Sequence, residues 1–123
     1  MGLDLTIYMA KRGARRTDNP FMPEPSVDHH WDCVAEWRNF YSLQQAIAPG
    51  AGSPEWRTLT REDIERVRQA MLTPEWHWPR LRDSHAAPDP DQVENFRAML
   101  GRTLNIIEGH MQEGRVFLIE VLY

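Results

Sequence analysis

The densest run of side chains able to do chemistry is Asp28-His29-His30-Trp31-Asp32-Cys33. His30 and Cys33 have a spacing that suits two zinc ligands beside a helix start. A structural zinc site needs four ligands, and the remaining histidines, His77, His85 and His110, occur singly with no paired His or Cys spacing. The competing reading is structural. A histidine pair before a helix serves as cap and surface contact, and Cys33 falls on an apolar stripe as a small buried hydrophobe. An imidazole beside a thiol also resembles an activated nucleophile, yet buried thiols are inert and no oxyanion element accompanies this one. A phosphate-binding glycine loop, a paired-histidine metalloprotease helix and a Gly-x-Ser-x-Gly elbow are absent from the sequence. Glu62 and Asp63 fall in a first helical turn, where the helix dipole accounts for them. The expectation is a protein that is not an enzyme, with no catalytic residues, no metal ligands and no cofactor.

A second run, Trp76-His77-Trp78-Pro79-Arg80-Leu81-Arg82, has surface chemistry instead. Trp56, Arg57, Arg61, Arg66 and Arg68 precede it. Tryptophan and arginine anchor protein interfaces, and their planar faces also stack on unpaired bases. The structural alternative has the tryptophans plugging a small core while the arginines pair with Glu62, Asp63 and Glu65 along a helix. Trp76, Trp78, Arg80 and Arg82 are the candidate partner-binding residues. Trp37 is expected in the core.

Composition narrows the partners. The chain has 123 residues, 41% of them hydrophobic, enough to bury a core in one domain spanning 1–123. A formal net charge of −4 is the wrong sign for a general DNA binder and too mild for a nucleic-acid mimic. A single cysteine excludes an internal disulfide framework and fits a reducing compartment. The apolar opening is short, contains Asp4 and is followed by the basic cluster Lys11, Arg12, Arg15 and Arg16, unlike a signal peptide. No segment has the length of a membrane span. Cytoplasmic localisation is the resulting expectation. The basic cluster reads as a solvated loop edge that protects a short strand from pairing with another chain.

These candidates must be positioned by a small set of elements. Leu3, Leu5, Ile7 and Met9 alternate with Asp4, Thr6, Tyr8 and Ala10, and the period of two predicts a strand with one buried face. Phe117, Ile119, Val121 and Tyr123 repeat the signal at the other end, so the two terminal strands are expected to pair. Residues 13 to 30, rich in Gly, Pro and Asn, read as a long connection. From Trp31 to about Ala48 the residues Cys33, Val34, Trp37, Phe40, Tyr41 and Ile47 suggest a helical stripe, ended by Pro49-Gly50-Ala51-Gly52. A second helix has Thr60 as cap, Asp63 completing a capping box and Leu59 as staple onto Ile64, with Val67 and Met71 on the same face.

A third helix begins at Asp89 with Pro90 in its first turn and Gln92 in the box. It carries Val93, Phe96, Leu100, Leu104, Ile107 and Met111, and Gly114 ends it. Gly101 and Gly109 inside it suggest a break or a close backbone contact. Ser53-Pro54-Glu55-Trp56 and Thr73-Pro74-Glu75-Trp76 are two copies of one helix-start recipe, read as repeated caps rather than an internal repeat. The predicted architecture is α+β, a two-stranded antiparallel sheet from the N- and C-terminal segments packed against about three helices.

The opening Met1-Gly2-Leu3-Asp4 with Tyr8, the central Glu36-Trp37-Arg38 placed on a helix, and the closing run Phe117 to Tyr123 resemble a family of small bacteriophage and prophage proteins without an assigned activity. The likeness covers about a third of the chain. This sequence departs from it at Asn39-Phe40-Tyr41, at Ala46-Ile47 where an aromatic pair often closes the helix, and in lacking a terminal tryptophan. The resemblance implies a phage or prophage setting, in which small proteins bind and block host components, as anti-CRISPR and other anti-defence proteins do. It supplies no catalytic residues. The expected function is a phage-type accessory protein that binds and inhibits a host protein. The alternatives are a toxin-neutralising immunity protein, a single-stranded nucleic-acid binder and a small zinc-binding protein.

Overall fold

A computed structural model describes residues 2–10, 31–80 and 87–123. The chain runs β1 (Asp4–Ala10), β2 (Trp31–Arg38), α1 (Tyr41–Ile47), β3 (Glu55–Thr58), α2 (Arg61–Ala70), α3 (Pro90–Gln112) and β4 (Phe117–Leu122). The class is α+β with three helices, and the sheet has four antiparallel strands in the order β2-β1-β4-β3 rather than two.

The expected terminal pair forms the centre of that sheet. Leu5 faces Val121, Ile7 faces Ile119 and Met9 faces Phe117. Leu3, Leu5, Ile7, Phe117, Ile119 and Val121 are buried, and they join Leu43, Ile47, Ile64, Val67, Leu100, Leu104 and Ile107 from the helices in one core. The helices thus cover the sheet face formed by the odd rows. Each fully buried Leu, Ile or Val contributes about 1.5–3 kcal/mol relative to exposure. The opposite face is not uniformly polar. Tyr8, Ala10, Trp31 and Leu118 form a second buried cluster there, with Trp56 and Val116 packed against it.

The Trp31 to Ala48 segment is the main correction. Its first eight residues form strand β2, and only Tyr41–Ile47 are helical, so Glu36-Trp37-Arg38 end a strand instead of sitting on a helix. The strand carries an irregularity: Ala35 pairs with Ile7 and Cys33 with Tyr8, leaving Val34 as an extra residue. Such a bulge reverses the side-chain phase. Trp31 and Cys33 therefore share the outer face with Tyr8, while Ala35 and Trp37 share the core face with Leu5 and Ile7. Trp37 is half-buried at the edge of the core, Tyr41 is 54% exposed, and Cys33 is exposed rather than buried.

Both cap-like tetrapeptides are also corrected. Ser53-Pro54 is a cis peptide leading into β3, whose Trp56 stands against Tyr8 with ring centroids 5.6 Å apart. Strand β4 has a free side after pairing with β1, and Glu55–Thr58 fill it. Thr73 instead finishes α2: its hydroxyl donates to the Ala70 carbonyl at 2.8 Å, and the Trp76 N–H donates to the Thr73 carbonyl at 3.2 Å.

The predicted starts of α2 and α3 hold. The Asp63 N–H donates to Thr60 Oγ1 at 3.2 Å and the Thr60 N–H to Asp63 Oδ2 at 2.8 Å. Asp89 and Gln92 make the same reciprocal pair, each bond 2.9 Å. Helix α3 runs unbroken through Gly101 and Gly109, and a Cβ at either would meet nothing within 4 Å, so neither glycine marks a break or a close contact. Gly114, at φ +86°, ends the helix in the left-handed region where glycine is favoured. Arg115 then ties this end to β1, donating to the Ala10 carbonyl at 2.8 Å from Nη2 and 3.2 Å from Nε.

Candidate functional site

The turn from β2 into α1 is made by Asn39, which sits at φ +57°. Its backbone N–H donates to the Leu3 carbonyl at 2.6 Å, and its side-chain Oδ1 accepts the Leu3 N–H at 2.9 Å. Asparagine suits this corner because its short amide bonds locally and tolerates left-handed backbone. Gly2 lies against it so closely that a Cβ there would stand 2.9 Å from Asn39 Oδ1. One residue further on, Asp4 faces Arg38 across the strands, with carboxylate and guanidinium 4.0 Å apart.

This corner closes one end of an open groove of about 1510 Å³. The groove runs from the outer sheet face, past Asp4, Thr6, Glu36 and Glu120, round the edge of β2 to Tyr41, Ser42 and Gln45 of α1 and to the segment 75–80. Thr6 pairs with Glu36 on one side and Glu120 on the other, so two carboxylate-bearing residues flank one threonine on the sheet. The far wall is held to α1 by the His77 N–H, which donates to Ser42 Oγ at 2.9 Å. Of the charged lining residues, Asp4, Glu36, Glu75 and Glu120 are acidic while Arg38 and Arg80 are basic, leaving an acidic surplus.

Trp78 and Arg80, two of the four candidate contact residues, line this groove. Trp76 is not among the lining residues. It is half-buried, meeting Phe40 edge-on at 5.4 Å and Trp78 at 5.5 Å, and its Nε1 is buried without a hydrogen-bond partner among the described residues. Trp78 stacks nearly parallel on Phe96, centroids 6.2 Å apart, and the Arg97 guanidinium lies 5.8 Å from the Trp78 ring. These contacts fix the indole in place and leave its edge on the groove wall. Arg82 lies outside the described residues, as do His29, His30, His85 and the cluster Lys11, Arg12, Arg15 and Arg16.

Arg57, Arg66 and Arg68 before this segment serve the fold. Arg66 donates to the Ala46 carbonyl at 2.6 Å and pairs with Asp63 at 2.6 Å, joining α1 to α2. Arg68 bonds Glu108 at 3.1 Å and Asn105 at 2.8 Å, joining α2 to α3. That hydrogen bond from Arg68 holds the Glu108 carboxyl below its ordinary range. Arg57 pairs with Glu55 and donates to the Pro49 carbonyl at 2.8 Å. The Glu55 carboxyl is also held low, first by the Gly52 N–H and then by Arg57.

Cys33 stands on the outer face of β2, where desolvation at the strand surface and the neighbouring Glu36 carboxylate push its thiol up. A raised thiol is a poor nucleophile at neutral pH. Among the described residues no group of three or more His, Cys, Asp or Glu side chains is arranged to hold a metal ion. No helix among them is long and apolar enough to cross a membrane.

The sequence does not announce the edge strand and its carboxylates, because the apolar residues between Trp31 and Ile47 fall at helical intervals. The bulge at Val34 puts Trp31 and Cys33 on one sheet face and Ala35 and Trp37 on the other, so no single apolar row announces the strand. Comparison with protein-family models, with curated proteins and with solved structures returns no match for the chain.

Proposed function

We propose that this chain is a non-catalytic binding protein whose groove, walled by Trp78 and Arg80, docks onto another protein and blocks it. The observation that carries this reading is the placement of Trp78. Its ring is held by Phe96, Trp76 and Phe40 and still lines an open groove beside Arg80. A rigid aromatic next to a guanidinium, ringed by polar side chains, is the composition of an interface anchor, because little side-chain entropy is lost when a partner covers it. The likeness to bacteriophage proteins supplies the setting, an accessory protein that inhibits a host component in the manner of anti-defence proteins. Trp76 supports the surface from behind by locking Trp78.

The test is paired affinity capture from bacterial lysate, with the wild-type chain and a Trp78→Ala/Arg80→Ala variant as baits. The expected result is a protein retained by the wild type and lost with the variant, at unchanged far-UV circular dichroism. A partner retained equally by both baits would overturn the placement, and retention of none by the wild type would overturn the reading itself.

A further inference from the structure

The far wall of the groove belongs to no helix or strand. Residues 77–80 come after the turn that finishes α2 and run as irregular chain. Among the described residues one hydrogen bond ties them to the rest of the fold: the His77 N–H donates to Ser42 Oγ at 2.9 Å. We propose, resting on the partner-binding reading, that Ser42 is a positioning residue of the groove, setting the place along α1 at which Trp78 and Arg80 are presented to the partner protein.

Ring packing alone leaves this wall free to slide. Phe40, at the N-cap position of α1, meets Trp76 at 5.4 Å and Trp78 at 5.7 Å. Such contacts stabilise without fixing a register, because apolar burial is non-directional and tilted or edge-on rings accept a range of offsets. The stack of Trp78 on Phe96 sets the tilt of the indole but likewise accepts lateral displacement. A hydrogen bond is confined to a narrow range of distance and angle. His77 lies between the two tryptophans in sequence, so the Ser42 hydroxyl grips the backbone midway between the two rings that Phe40 holds. Ser42 and His77 both line the groove, beside Tyr41, Trp78 and Arg80, and a shift of their bond therefore moves the wall itself. The serine is not explained by its own helix. It is the second residue of the seven-residue α1, serine forms helix less readily than alanine, and the N-cap makes no side-chain hydrogen bond. Its hydroxyl is turned to the neighbouring segment instead of being spent on local backbone.

Amide hydrogen exchange and the indole N–H signals of a nitrogen-edited NMR spectrum test this on the whole chain, with Ser42→Ala and Ser42→Thr. Alanine keeps α1 while removing the acceptor, and threonine retains the hydroxyl. In Ser42→Ala the His77 amide should exchange about tenfold faster than in the wild type, and the Trp76 and Trp78 indole signals should move, while amides of β1 and β4 change less. Ser42→Thr should restore both. As baits in bacterial lysate, Ser42→Ala should retain about three- to tenfold less of the partner protein per folded molecule, the range of one hydrogen bond, and Ser42→Thr should recover it. Unchanged His77 exchange with unmoved indole signals in Ser42→Ala overturns the placing of the wall by this bond. Faster exchange with undiminished retention overturns the positioning role, as does a loss of retention that Ser42→Thr fails to recover while its His77 amide is protected. If Trp78→Ala/Arg80→Ala abolishes capture and Ser42→Ala leaves it whole, the positioning role falls and the partner-binding reading stands. If the wild type captures nothing, the partner-binding reading falls, and the exchange rates and indole signals still decide whether Ser42 places the wall.

Discussion

The corner built by Gly2, Leu3 and Asn39 makes a prediction whose parts can be separated by mutation. Asn39 does two things at once: it holds φ +57°, and its Oδ1 accepts the Leu3 N–H at 2.9 Å. Asn39→Ala removes the acceptor and leaves a Cβ in the left-handed region without local hydrogen bonding. The backbone cost is about 1–2 kcal/mol, and the part-buried Leu3 N–H left unpaired adds about 1 kcal/mol or more. Asn39→Gly removes the same acceptor but relieves the backbone, so it isolates the hydrogen bond at about 1 kcal/mol. For a chain of this size 1 kcal/mol corresponds to about 4 °C in Tm. Asn39→Ala should therefore lower Tm by about 8–12 °C and Asn39→Gly by about 4 °C. Gly2→Ala places a Cβ 2.9 Å from Oδ1, and the amide can retreat only by giving up Leu3. It should cost about as much as Asn39→Gly in the wild type, about 1 kcal/mol. In the Asn39→Gly background it should cost almost nothing, since the next neighbour of that Cβ is Arg38 at 3.4 Å. Thermal and urea denaturation of the four proteins in the cycle measure this. Equal costs of Gly2→Ala in both backgrounds would refute the contact, and Asn39→Gly proving as damaging as Asn39→Ala would refute the backbone argument.

Gly101→Ala should raise stability by about 0.5–1 kcal/mol in urea unfolding, because the residue is mid-helix with open space where the methyl would go. The Glu108 carboxyl, held low by Arg68, stabilises the fold at pH values above its unfolded value. That contribution is lost as pH falls through its lowered folded value, so Glu108→Gln should lower stability at neutral pH and flatten the acid limb of a stability–pH curve. Cys33 should react with a thiol reagent in the native protein, as its exposure requires, but more slowly at neutral pH than a free cysteine, because its thiol is pushed up. A Cys33 that reacts only after unfolding would contradict the strand placement.

What could be read in advance follows from how local each signal was. The helix starts at Thr60 and Asp89 were legible because a capping box is complete within four residues, whatever surrounds it. The pairing of β1 with β4 was legible because both carry one long apolar row. Strand β2 was not, for two physical reasons. Its apolar positions are shared between two sheet faces by the bulge at Val34, and an edge strand exposes side chains that a central strand would bury. Residues 33, 34, 37, 40, 41 and 47 then happen to fall at helical intervals, although only Phe40 and Ile47 of that set are buried. Strand β3 was hidden for a different reason. Ser-Pro-Glu is a good helix start in isolation, and nothing within Glu55–Thr58 records that β4 needs a second neighbour. At the site, Trp78 and Arg80 were found by composition, whereas Asp4, Glu36 and Glu120 acquire their meaning from the register of three strands.

The same register separates the residues that build the groove from those placed to use it. Gly2 and Asp4, the distinctive part of the chain's opening, have a structural account: one leaves room for Asn39, and the other faces Arg38 across the strand pair. Both act at the corner, so substitutions there should lower Tm while leaving the partner protein captured per folded molecule nearly unchanged. Glu36 and Glu75 stand further along the groove, exposed and on opposite walls. Reversing their charge should leave Tm within a few degrees of wild type, since exposed charges contribute about 0–1 kcal/mol each, while weakening capture of the partner protein. If the corner variants weakened capture in proportion to stability, or the glutamate variants lost stability in proportion to capture, the groove would be no more than a by-product of packing at the edge of β2. A clean separation of the two effects is what a recognition surface mounted on a fixed corner requires.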